Sequence, residues 1–91
     1  MCGIAGIVGP GAGQQVQALR RIIDAMAHRG PDGEGVYAAP SGACLLGHRR
    51  LAILDLSDAA AQPMVSDDRR SALCYNGECY NFQELRPALD R

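Results

Sequence analysis

Cys2-Gly-Ile-Ala-Gly-Ile-Val8 is the stretch on which the fold prediction rests. Its aliphatic residues form a nearly continuous apolar run, which is typical of a strand buried on both faces. Its two glycines leave room for another backbone or a ligand to approach closely. We therefore predict a buried strand over residues 2–8, with Cys2 at its very edge.

The elements that follow give the fold class. An apolar residue recurs every three or four positions through residues 14–28, which predicts an amphipathic helix packed on a sheet. The remaining predictions, in chain order, are a turn-rich segment at 29–35, strands at 36–39, 43–48 and 51–56, a loop at 57–70, a strand at 71–75 and a helix from Phe82 onward. This order predicts an α+β fold with a mostly antiparallel sheet.

Charge and hydropathy exclude two classes of partner. The net charge is -1, from ten acidic residues and nine arginines without any lysine, so there is no basic excess for nucleic acid. No apolar run approaches the ~20 residues of a membrane span. No basic region precedes the N-terminal apolar stretch, so a signal peptide is not expected. We expect a cytoplasmic protein.

The four cysteines of the chain are Cys2, Cys44, Cys74 and Cys79. They could form two disulfides in a secreted chain, but without a secretion signal we expect reduced thiols. There is no Cys-x-x-Cys pair, and the two histidines are far apart in sequence. We therefore expect no metal site.

Cys2 is a candidate nucleophile. Removal of Met1 would give Cys2 a free α-amine, which titrates near ~7.7–8.0 in a peptide and can accept a proton at neutral pH. A thiol beside its own amine has a built-in base, as N-terminal threonine nucleophiles do. Considered alone, the residue could equally be a buried strand cysteine.

Asn76-Gly77 allows two interpretations that are compatible with each other. Both residues tolerate positive φ, which favours a type I′ hairpin turn. The asparagine amide and a backbone N–H on such a turn could also converge on one point as an oxyanion hole.

Five ordered motifs together carry a resemblance to a known family. The sequence strongly resembles the glutaminase domain of glutamine-dependent asparagine synthetases, which are class II glutamine amidotransferases and N-terminal nucleophile hydrolases. The resemblance covers essentially the whole chain and rests on Met1-Cys-Gly-Ile-Ala-Gly-Ile-Val8, His28-Arg-Gly-Pro-Asp-Gly33, Gly47-His-Arg-Arg-Leu-Ala-Ile-Leu-Asp-Leu-Ser57, Ala61-Gln-Pro-Met64 and Tyr75-Asn-Gly-Glu-Cys-Tyr-Asn81.

The resemblance implies a role for six residues. Cys2 is the nucleophile and its α-amine the general base, while the Asn76 side chain and the Gly77 N–H form the oxyanion hole. Arg50 holds the α-carboxylate of L-glutamine, which suits the fork of a guanidinium group. Glu78 lies near the α-amino group, and Arg29 belongs to a loop that shapes the site and contacts the substrate.

The same resemblance implies an architecture and a reaction. Residues 1–91 are the N-terminal part of a class II amidotransferase domain, a partial four-layer αββα sandwich. Glutamine is hydrolysed to glutamate and ammonia through a Cys2 γ-glutamyl thioester. The ammonia feeds ATP-dependent asparagine synthesis from aspartate in a full-length parent, whose synthetase domain, outside this chain, binds ATP and magnesium. No cofactor is expected in this portion, and a homodimer is compatible with the resemblance.

Two alternatives stay open at this point. The chain could be the glutaminase domain of a sibling amidotransferase with another acceptor, since acceptor choice lies in the domain outside it. It could also be a non-catalytic truncated remnant.

Overall fold

A computed structural model describes residues 2–51, 61–77 and 81–89. Within these ranges the chain forms a three-stranded sheet and a two-stranded sheet, both antiparallel, and two α-helices. The elements are β1 (Gly3–Val8), a short 3-10 helix (Ala12–Gln14), α1 (Val16–Ala25), β2 (Gly33–Ala38), β3 (Cys44–Arg50), β4 (Met64–Val65), β5 (Ala72–Leu73) and α2 (Phe82–Leu89). The predicted α+β class with antiparallel pairing is confirmed.

β3 is the central strand of the larger sheet, with β1 on one side and β2 on the other. Gly47 in its middle pairs with Ala5 of β1 and with Val36 of β2. Side chains on neighbouring paired residues lie on the same face of a sheet. The register therefore determines which residues of all three strands share a face.

Helix α1 covers one face of this sheet and forms the core with it. Leu19 and Ile23, one helical turn apart, are fully buried, as is Leu45 of β3. The helix lies close because the strands offer glycine beneath it. A Cβ at position 47 would lie 2.7 Å from a methyl carbon of Ile23, and one at Gly3 would lie 2.8 Å from the sulfur of Met26.

The opposite face is only partly covered by the described residues. Ile4 is 49% exposed and Val8 is 80% exposed. The prediction that both faces of this strand are covered is therefore wrong for the described part of the chain. The reason is that α1 can cover only one face, and side chains of a strand alternate between the two.

Several predicted boundaries shift in the structure. The predicted first helix is shorter at both ends, as α1, and β2 begins inside the segment predicted as a turn. That early start is stabilised by pairing of Gly33 with Arg50 and of Glu34 with Arg49. The short strand β4 lies within a predicted loop, and the predicted strand at 51–56 lies almost wholly outside the described residues.

The described residues contain neither a membrane-spanning helix nor a candidate metal-binding cluster. None of the described helices is long and apolar enough to span a membrane. Nowhere in the described ranges do three or more histidine, cysteine or acidic side chains come together in a way that could hold a metal ion.

Replacing Gly47 with alanine tests the contact between α1 and the sheet. The new methyl group would collide with Ile23, so we expect the free energy of unfolding to fall by about 1–3 kcal/mol, the usual cost of overpacking a core. The matched control is Gly6→Ala, because a Cβ at position 6 meets its nearest neighbours at an ordinary 3.5 Å. Urea denaturation of both variants measures the difference, and equal stabilities would contradict this account of the core.

Candidate active site

Cys2 lies where β1 and β3 end together. Gly3 pairs with Arg49, and continuing the antiparallel register places Cys2 opposite Arg50. The Leu51 N–H donates to the Cys2 sulfur at 3.4 Å, and the sulfur lies 3.9 Å from the Leu51 carbonyl oxygen. The thiol is thus half-buried at a strand end and held by the backbone that follows Arg50.

The loop before β2 closes the same corner. The Asp32 N–H donates to the Arg50 carbonyl at 2.9 Å, and Pro31 forms an isolated parallel bridge with Arg50. The Arg29 Nε donates to the Cys2 carbonyl oxygen at 3.3 Å. The structure therefore brings Cys2, Arg29 and Arg50, three of the predicted site residues, into one corner.

Arg49 is a structural residue that the sequence interpretation missed. Its Nε donates to the Gly30 carbonyl oxygen at 3.0 Å, and its Nη1 forms a 2.9 Å ion pair with Glu34. Its side chain is only 13% exposed. The loop comes this close because residue 30 is glycine, whose position leaves no room for a Cβ beside the Arg49 backbone. Arg49 thereby holds the loop that carries Arg29.

Asn76 and Gly77 follow β5 and are exposed. Gly77 has a φ of 153°, a conformation that residues with a side chain rarely adopt. The hydrogen bonds of the Cys2 thiol go to Leu51 rather than to Asn76. Glu78 and the residues that would complete a hairpin after Gly77 lie outside the described residues.

The Asn76-Gly77 segment is nevertheless connected to β3. The Cys74 sulfur donates to the Gly47 carbonyl oxygen at 3.7 Å. Burial raises the pKa of the Cys74 thiol, and nearby Cys44 adds to that effect. Cys2, Cys44 and Cys74 are free thiols, as predicted, and Cys79 lies outside the described residues.

His48 is a second residue whose importance the sequence interpretation missed. Its side chain is 1% exposed, although it is a polar group in a small core. Burial lowers the pKa of His48, a hydrogen bond with the Tyr75 backbone partly opposes this, and the positive charge of Arg50 lowers it further. One signal was available: His48 precedes Arg50 by two residues on a strand, which places both on one face.

Comparison with known proteins gives the family. The family model described as a glutamine amidotransferase domain matches residues 1–91, the whole chain. The chain therefore belongs to the glutamine amidotransferase family.

Three similar curated proteins are much longer than this chain. A glutamine-hydrolyzing asparagine synthetase of Triphysaria versicolor is 40% identical over 91 residues, which are 98% of this chain and 15% of that protein. Proteins of the same name from Brassica oleracea and Asparagus officinalis are 38% and 37% identical, with the same coverage. The chain thus spans about one seventh of the length of these relatives. No solved structure matches it significantly.

The lowered pKa of His48 predicts a pH dependence of stability. The folded protein holds this pKa below the ordinary value of 6.5, so the unfolded chain binds more protons once the pH falls through 6.5. The stabilising contribution is therefore complete above pH 6.5 and declines as the pH falls toward the lower pKa of the folded state. Urea denaturation at several pH values measures it.

The variant His48→Leu should have a smaller loss of stability across that pH interval than the wild type. The variant His28→Asn, which alters an exposed histidine, is the matched control and should keep the wild-type profile. An unchanged profile in His48→Leu would mean that another group causes the pH dependence.

Proposed function

We propose that this chain is the N-terminal part of a glutaminase domain, with Cys2 as the nucleophile that releases ammonia from L-glutamine. The observation that carries the proposal is the placement of Cys2 at the paired ends of β1 and β3, with its thiol bonded to the residue after Arg50, at a corner closed by the loop that bears Arg29. Membership of the glutamine amidotransferase family supports it. The names of the similar proteins describe synthetases that hydrolyse glutamine.

The first step is activation of the thiol. Once Met1 is removed, the α-amine of Cys2 is attached to the same residue as the sulfur and can accept its proton. The rigid ladder between β1 and β3 holds both groups in place, which is a condition for accurate nucleophilic attack. The contact of Arg29 with the Cys2 carbonyl restrains the same peptide from the other side.

The chemical steps follow from that arrangement. The sulfur attacks the side-chain amide carbon of glutamine, and the carbonyl electrons move to oxygen. The Asn76 amide and the Gly77 N–H donate to this oxyanion. The proton on the α-amine passes to the amide nitrogen, the C–N bond breaks and ammonia leaves. Water then attacks the γ-glutamyl thioester, giving glutamate and the free thiol.

Charged residues near Cys2 orient the substrate. We assign the α-carboxylate of glutamine to Arg50, because a guanidinium group can donate two parallel hydrogen bonds to a carboxylate. We assign the α-amino group to Glu78. Arg29 donates a hydrogen bond to the Cys2 carbonyl oxygen. We also assign it a contact with the substrate.

The parent reaction is part of the proposal. Ammonia released here would feed ATP-dependent synthesis of asparagine from aspartate, in a synthetase domain that binds ATP and magnesium. The exposed Ile4 and Val8 fit the predicted four-layer αββα sandwich, in which a second sheet would cover their face.

Hydrolysis of glutamine by the purified protein is the direct test, after mass spectrometry has established that Met1 is removed. We expect release of glutamate and ammonia, and a loss of both to background in Cys2→Ala, since the proposed thioester forms on the Cys2 sulfur. Hydroxylamine should divert the intermediate to γ-glutamyl hydroxamate. The matched control is Cys44→Ala, which removes a thiol at the opposite end of β3 and should remain active. Hydrolysis that persists in Cys2→Ala would refute the proposal.

Two further variants should separate transition-state stabilisation from substrate binding. Asn76→Ala removes an oxyanion donor and should lower kcat by about 10²–10³, with KM little changed. Arg50→Lys keeps the charge but loses the bidentate geometry, so it should raise KM more than it lowers kcat. Steady-state kinetics measures both. The same change in kcat and KM in the two variants would contradict the assigned roles.

A further inference from the structure

His48 is a buried polar side chain for which the glutaminase mechanism has no use. It is 1% exposed, and its Nε2 has no hydrogen-bond partner among the described residues. Burying an imidazole in place of an aliphatic side chain has a cost unless the ring makes a compensating contact. Its burial also excludes direct contact with substrate, so any role must pass through a neighbouring residue.

That neighbour is Tyr75. The hydrogen bond between His48 and the Tyr75 backbone raises the histidine pKa, so it favours the protonated ring. A bond of that kind is donated by the imidazole N–H and accepted by the Tyr75 carbonyl. On its other side, the Tyr75 N–H donates to the Gln62 side-chain oxygen. Both backbone polar groups of Tyr75 are thus engaged, one from β3 and one from the segment before β4.

Gln62 is itself held against the sheet next to His48. Gly35 pairs directly with His48 across β2 and β3. The Gln62 carbonyl occupies the space that a Cβ at position 35 would take. The segment that carries Gln62 can therefore come within reach of Tyr75 only because residue 35 is glycine.

Tyr75 connects directly to the proposed oxyanion donors. It immediately precedes Asn76, and its hydroxyl lies 3.1 Å from the point where a Cβ of Gly77 would be. Tyr75 is therefore joined to Asn76 by a peptide bond, and its ring lies beside Gly77. At the opposite end of this connection, His48 is two residues from Arg50, which lies across from Cys2.

We propose that His48 is a positioning residue, which fixes the Tyr75 backbone on β3 and thereby sets the place of Asn76 and Gly77 relative to Cys2 and Arg50. This inference rests on the proposed glutaminase function. The link is needed because Asn76 and Gly77 are exposed, and the thiol makes its hydrogen bonds with Leu51 and not with them. An error of about 1 Å in such a donor can cost a hundredfold in rate.

The kinetic test is His48→Leu, which fills the site of the imidazole with an apolar side chain and removes the donor. We expect kcat to fall between tenfold and a hundredfold with KM nearly unchanged, because oxyanion donors act in the transition state. His48→Asn and His48→Gln each retain a side-chain N–H, at a shorter and a longer distance from the β3 backbone. We expect at least one of them to reach the Tyr75 carbonyl and to recover most of the lost kcat. An unchanged kcat in His48→Leu would overturn the proposal.

A double-mutant cycle separates positioning from general damage to the fold. If His48 acts through the oxyanion donors, then His48→Leu should slow Asn76→Ala by a smaller factor than it slows the wild type, because only Gly77 is left to position. Rate losses that multiply would overturn the proposal. The matched control is Leu45→Ala, a fully buried residue of the same strand on the helix face, which should lower Tm but leave kcat intact well below it.

Hydrogen exchange followed by NMR gives a readout that needs no enzymatic activity. In His48→Leu the amide of Tyr75 should exchange at least tenfold faster, while amides of the β1–β3 ladder keep their protection. Unchanged exchange at Tyr75 would overturn the proposal. If the wild-type protein hydrolyses no glutamine, the proposed function fails, and the exchange result still decides whether His48 holds Tyr75.

Discussion

The antiparallel register between β1 and β3 is the constraint on which the rest of the structure depends. It pairs Gly3 with Arg49 and so places Cys2 beside Arg50. A shift of one residue would move every side chain of β1 to the other face of the sheet. The helix-facing glycine of β1 would then be replaced by a bulky neighbour, and α1 could no longer pack. Core packing and the location of the thiol are therefore decided by the same hydrogen bonds.

The two faces of the central strand, β3, have different roles. On one face Leu45 and Gly47 receive α1, and Arg49 at the end of that face binds the loop before β2. On the other face His48 and Arg50 point toward the segment around Tyr75 and toward the corner with Cys2. Because alternate residues belong to opposite faces, the four-residue stretch from Gly47 to Arg50 serves both core and site.

The fold class could be predicted because local patterns determine it. The roles of Cys2 and Arg50 came from the ordered motifs, and their closeness at the ends of β1 and β3 agrees with those roles. The exposure of β1 could not be predicted, because an apolar run does not tell whether one or two layers cover a strand. Arg49 was overlooked because two adjacent arginines look alike in sequence, although strand alternation sends them to opposite faces. The contacts of His48 and Gln62 with Tyr75 join residues 13 to 27 positions apart, and no local pattern contains that information.

Glycine explains why these distant contacts can form at all. At Gly30 and Gly35 a backbone from elsewhere in the chain occupies the space of a side chain, Arg49 at the first and Gln62 at the second. At both positions, a residue with a side chain would collide with this backbone and keep Arg49 or Gln62 at a greater distance. A glycine loses more conformational entropy on folding than other residues do. Here the hydrogen bonds that the close approach allows, from Arg49 to Gly30 and from Tyr75 to Gln62, offset that cost. The loop that carries Arg29 and the backbone of Tyr75 both depend on such an approach, so two parts of the proposed site are held by positions that carry no side chain.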